Sequence, residues 1–104
     1  MASGVGKDAI DFGTGPSRIG HNAATLVITG QAGITAAAHV EAWLQGDNTS
    51  DYSTNFYKPY EHMFLSNYIG FACGDIVPGV GFTIYAFTQL RLDGALYVHW
   101  VWST

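Results

Sequence analysis

Gly81-Phe82-Thr83-Ile84-Tyr85-Ala86-Phe87-Thr88 and, a short turn later, Ala95-Leu96-Tyr97-Val98-His99-Trp100-Val101-Trp102 decide the fold. Both segments are dominated by β-branched and aromatic residues, and a period of two puts large apolar groups on both of their sides. In the first, Val80, Phe82, Ile84 and Ala86 point together, leaving Thr83, Tyr85 and Phe87 opposite. In the second, Leu96, Val98, Trp100 and Trp102 oppose Tyr97, His99 and Val101. A strand in a two-layer domain buries one face in its own core, so a second apolar face calls for a partner. The pattern describes an assembly component more clearly than an enzyme.

Working outward, thirteen glycines punctuate the 104 residues, and the apolar segments between them are of strand length. Strands are predicted at 8–12, 24–29, 38–45, 68–73, 80–88 and 95–102, joined by Gly, Pro, Asn and Asp turns. The expectation is an all-β domain spanning 1–104, a small six-stranded antiparallel β-sandwich. A short helix over 34–44 competes with the third strand, because Ala36, Ala37 and Ala38 favour helix and Val40 and Leu44 would share its face. As a strand, this segment puts Ala38, Val40, Ala42 and Leu44 in the core and His39, Glu41, Trp43 and Gln45 outside. Residues 1–23 hold five glycines and little periodicity beyond Ile10 and Phe12, which predicts an extended N-terminal arm with one edge strand.

Composition narrows the function. Charged residues make up 12% of the chain against 48% hydrophobic, where about 25% charged is usual. That leaves little charge to coat an isolated monomer. The net charge is −4, and the four cations Lys7, Arg18, Lys58 and Arg91 are scattered, so there is no footprint for a phosphate backbone and nucleic acid is not expected as a partner. The single Cys73 has no disulfide partner and reads as a small buried hydrophobe. The N-terminal residues lack an apolar h-region and no stretch is long enough to span a bilayer, which predicts a soluble protein made in a cytoplasm, without membrane insertion.

Trp43, Tyr85, Phe87, Tyr97 and His99 are the candidate oligomer interface. Covered together, they would remove on the order of 500 to 1,000 Å² per subunit from water, enough for a specific contact. The plainer alternative is half-buried surface beneath the long loop and the arm. That loop, 46–60, is polar yet studded with aromatics. Its Asp47, Asn48, Asp51, Tyr52, Tyr57 and Tyr60 suit either a glycan, by stacking and hydroxyl hydrogen bonds, or a protein partner. His39, Glu41 and His99 are the only set with a metal-site pattern, and such incomplete sets are far more often hydrogen-bonded interface groups, so no metal is expected. Cys73 with His99 or His62 as base is the one conceivable nucleophile pair. No nucleophile elbow, paired carboxylates or phosphate-cradling loop accompanies it, so neither catalytic residues nor a cofactor are expected and the chain does not read as an enzyme.

Gly-Phe-Thr-Ile-Tyr-Ala at 81–86, followed by Tyr-Val-His-Trp-Val-Trp at 97–102, resembles the last two strands of H-type lectin domains. The resemblance implies a six-stranded antiparallel β-sandwich that assembles as trimers or hexamers. It also implies a sugar site between subunits using a Trp in the strand that here reads Ala86-Phe87-Thr88-Gln89; no Trp stands there, and the site is not carried over. The whole chain is similar to small proteins encoded in tailed-phage structural gene clusters, through Val-Ile-Thr-Gly-Gln-Ala-Gly-Ile at 27–34 and His-Val-Glu-Ala at 39–42. These likenesses imply a virion structural protein (capsid decoration, neck, or tail and fibre component) made in the host cytoplasm, with copies of itself and other virion proteins as partners. The alternative they leave open is a carbohydrate-binding module of a tail fibre or spike that contacts host surface glycans.

Overall fold

The computed structural model describes residues 2–13, 21–44, 65–92 and 94–104, with the side chains of His21, Leu90 and Arg91 left aside. The chain is all-β. Its six strands are β1 (Ser3–Asp11), β2 (His21–Ile28), β3 (His39–Trp43), β4 (Ile69–Val77), β5 (Gly81–Leu92) and β6 (Ala95–Ser103). They form two three-stranded antiparallel sheets, sheet A in the order β1-β6-β3 and sheet B in the order β2-β5-β4. The two segments that open the sequence argument are thus the central strands, one per sheet.

The core is where the inner faces of these strands meet. Leu96, Val98, Trp100 and Trp102 of β6 and Phe82, Ile84 and Ala86 of β5 are all buried, in the alternation the sequence predicts. The Phe82 and Trp100 rings meet edge to face at 5.5 Å, linking the two central strands. Ile10 and Phe12 from the end of β1, Ile34 from the β2–β3 connection and Leu44 after β3 join the cluster, as do Ala24 and Ile28 of β2, Leu65, Ile69 and Leu92. Val80 does not join it. It closes the β4–β5 turn, where its N–H donates to the Val77 carbonyl at 2.9 Å, and it is exposed. Pro78 and Gly79 make that turn, Gly79 supplying the positive φ of 77° that a type II turn requires at its third residue.

Sheet A rests on two cross-strand rows. Gly4 lies opposite Trp102, which faces Val40 on its other side, and Gly6 lies opposite Trp100, which faces Ala42. A Cβ on Gly4 would stand 2.3 Å from Trp102 Nε1, and one on Gly6 would stand 2.3 Å from Trp100 Cζ2. The glycines are therefore the space into which the two indoles lie. Each indole N–H also finds an acceptor: Trp100 donates to Asp8 Oδ2 at 2.8 Å and Trp102 to Gln31 Oε1 at 3.0 Å. This packing explains why the N-terminal segment is more ordered than its glycine content suggests. β1 is paired with β6 from Ser3 to Asp11, so residues 3–7, expected in an arm, belong to the sheet.

The remaining boundaries differ for local reasons. The 34–44 segment resolves in favour of strand: Ala36 and Ala37 form a turn closed by Ala38 N–H to the Thr35 carbonyl at 3.0 Å, and β3 follows. β4 runs past Gly74-Asp75, which reads as a turn, because three steps of β4 from Gly74 to Val77 oppose two of β5 from Thr83 to Gly81. This is a bulge, and Asp75 carries its left-handed φ of 50°. β5 likewise continues through a wider irregularity, where the Asn22 side-chain amide donates to the carbonyls of Thr88 (3.1 Å) and Gln89 (3.4 Å).

The glycine rows predict an asymmetry within β1. Gly6→Ala forces a methyl against a buried, hydrogen-bonded indole and is expected to cost about 1–3 kcal/mol, as overpacking does. Val5→Ala on the opposite, 75% exposed side should change stability by less than about 0.5 kcal/mol. Urea unfolding followed by tryptophan fluorescence measures both.

Candidate functional site

With the inner faces committed to the core, the strand candidates lie on the two outer faces. The five candidate interface residues divide between them. Trp43, Tyr97 and His99 lie outward on sheet A, and Tyr85 and Phe87 outward on sheet B. They do not make one continuous patch.

On sheet A the aromatic groups are engaged with neighbours. Trp43 and His99 are cross-strand partners, and their rings stack at 6.1 Å with 23° between planes. Lys7, opposite His99 on β1, places its Nζ 4.9 Å from the centre of the Tyr97 ring. His39 and Glu41 sit beside this group, Nε2 to Oε1 3.5 Å apart and both well exposed, a geometry worth about 0–1 kcal/mol at a surface. The outer face of sheet A is thus a mixed surface of aromatic rings and charges of both signs.

Sheet B differs. Its three outward rows are Ala23–Phe87–Gly70, Thr25–Tyr85–Ala72 and Val27–Thr83–Gly74, and none of the nine residues is charged. Phe87 is 52% exposed although a central strand carries it, because its row neighbours are alanine and glycine and cannot cover a ring. Val27 (66% exposed) and, past the bulge, Val77 (53%) extend the apolar surface. Both valines escape the sequence reading; the signal for Val27 is the alternation Ala23, Thr25, Val27, which leaves β2 without an outward charge.

Tyr85 is the polar point of this face. Its hydroxyl donates to Asp75 Oδ2, and the bulge at Asp75 is what turns that carboxylate toward it. The hydrogen bond to Asp75, then desolvation and the carboxylate's charge, push the phenol above its ordinary pKa. A raised pKa in the folded state means that this bond's contribution is complete below the ordinary tyrosine range, near about pH 10, and is lost as pH rises through the raised value.

His39 and Glu41 pair with each other while His99 stacks on Trp43, and among the described residues no three His, Cys, Asp or Glu side chains come together as a metal site. Cys73 is half-buried against the core, and burial first, then the Glu41 carboxylate, pushes its thiol up, so at neutral pH it is held as the unreactive thiol. His62, its other conceivable base, lies outside the described residues, as do the loop candidates Asp47, Asn48, Asp51, Tyr52, Tyr57 and Tyr60. No helix among the described residues is long and apolar enough to cross a membrane. Comparison with models of protein families, with curated proteins and with solved structures finds no match.

Two measurements follow from these environments. In an ultraviolet titration of tyrosinate, Tyr85→Phe should remove a component that ionises above the ordinary range, and Asp75→Gly should return that component to it. Cys73 should react with a disulfide reagent at pH 8 at least about tenfold more slowly in the folded chain than in urea, and Glu41→Gln should narrow the gap.

Proposed function

We propose that this chain is a structural subunit of a tailed-phage particle, a small H-type-lectin-like β-sandwich that works by presenting strand faces for other subunits to cover. The observation that carries the assembly reading is the outer face of sheet B: three rows whose nine residues carry no charge, with Phe87 raised in the end row between Ala23 and Gly70. A sheet face whose one charge, the Asp75 carboxylate, is bonded to Tyr85 at the β4 side, and which carries a half-exposed ring, is suited to a largely dry contact, since full burial of a phenylalanine is worth about 1.5–3 kcal/mol. The virion setting is supported by the likeness of the 27–34 and 39–42 phrases to phage structural proteins, and the fold kinship by the Gly-Phe-Thr and Tyr-Val-His-Trp-Val-Trp strands. Of the five interface candidates, Phe87 carries the contact on this reading, while Trp43, Tyr97 and His99 already cover one another with Lys7 on the other sheet.

The test is solution mass by light scattering over a dilution series, with Phe87→Lys and Trp43→Ala as paired variants. Assembly through sheet B predicts that Phe87→Lys lowers the mass to that of one chain, or abolishes capture by the neighbouring virion protein, while Trp43→Ala leaves association intact. Association untouched by Phe87→Lys would remove sheet B from the contact.

A further inference from the structure

Beyond a face, sheet B offers an edge. β2 is an outer strand of that sheet, hydrogen-bonded to β5 on one side, so alternate residues direct their N–H and C=O groups away from any ladder. β1 comes alongside it from the other sheet without joining it by backbone pairing. A row of backbone donors and acceptors at strand spacing is met fully by one kind of partner, another extended strand.

The four outer strands are not equally protected against such pairing. β1 carries Lys7, Asp8 and Asp11; β3 is only five residues long and carries His39 and Glu41; β4 is broken by the Asp75 bulge and holds Gly70 and Gly74. Each has one of the devices that blunt a sheet edge: charge, shortness or a bulge. From Ala23 to Ile28, β2 has none: Ala-Ala-Thr-Leu-Val-Ile is without charge, proline, glycine or register shift. The same absence makes the strand self-complementary. Antiparallel pairing of residues 23–28 with their own copy sets no charge against a charge in any register, whereas in several registers β1 paired with β1 would set Lys7 or an aspartate against its own copy.

We infer that β2 is a seam between copies of this chain: two subunits pair their β2 strands antiparallel about a twofold axis, merging the two B sheets into one of six strands, β4-β5-β2-β2-β5-β4. The inference rests on the assembly reading above and names the partner, a second copy, and the contact. It joins the uncharged rows of both subunits into a single doubled face, with a Phe87 on each half. Because the axis is twofold, assemblies contain an even number of chains, a dimer or a hexamer but not a bare trimer.

Amide hydrogen exchange of the full chain, read residue by residue by NMR alongside light scattering, tests the seam. Pairing predicts that both alternating sets of amides over residues 23–28 are protected, the outward set at least about tenfold more than the outward amides of β1 and β4. Dilution to one-chain mass should release only the outward set. Val27→Lys, which puts a cation on each of two otherwise uncharged strand runs, should lower the mass while retaining the far-ultraviolet spectrum; if that variant fails to fold, exchange on the unaltered chain still decides. Outward β2 amides that exchange freely in an assembly, a stable trimer, or a chain that stays monomeric at all concentrations would each overturn the seam. The face reading is scored separately, since assembly lost with Phe87→Lys while β2 amides remain unprotected supports the face without the edge.

Discussion

Two indoles lying on two glycines hold the fold in register. Trp100 and Trp102 project inward from the centre of sheet A, and only because Gly4 and Gly6 lack a Cβ can β1 pair beside them. Slipping β1 by one residue would put Ser3, Val5 and Lys7 under the rings and turn Ile10 away from the core, so steric fit and burial select the same register. Asp8 and Gln31 then fix the indole edges from opposite ends. Trp100 carries the constraint across to Phe82 and sheet B.

From this arrangement the difference between the outer faces follows. Sheet A sets several of its outward groups against one another, a stacked Trp43–His99 pair, Lys7 over Tyr97 and His39 beside Glu41, and leaves Val5 exposed. Sheet B has small residues on both sides of its central aromatics, and the polar contact of Tyr85 with Asp75 lies toward the β4 margin. Among the described residues, the row neighbours of Phe87, Ala23 and Gly70, are too small to cover its ring.

The strand periodicity of β5 and β6 is strong enough to be read directly, since every inward position from Phe82 to Ala86 and from Leu96 to Trp102 is apolar and buried. Sequence reading falters where glycine or aspartate serves packing or a bulge. Gly4 and Gly6 look like linker until the rings they admit are known, and Gly74-Asp75 looks like a turn until β5 is seen to continue opposite it. The division of the five aromatic candidates was also out of reach, because alternation tells which side of a strand a residue takes but not which sheet the strand joins. The candidates in the 46–60 loop stay as sequence expectations.

The central place of β6 also orders events during synthesis. Sheet A is built around a strand that follows β1 to β5 in chain order: β1 pairs with it from Ser3 against Ser103, and Ala2 and Thr104, 102 residues apart in sequence, exchange hydrogen bonds. Until residues 95–103 emerge from the ribosome, β1 and β3 have no centre to pair with, and their inner faces wait in water. Contacts of such long sequence separation are slow to form. The nascent chain therefore passes through a period with its apolar strands uncovered, when crowding with other chains favours mispairing.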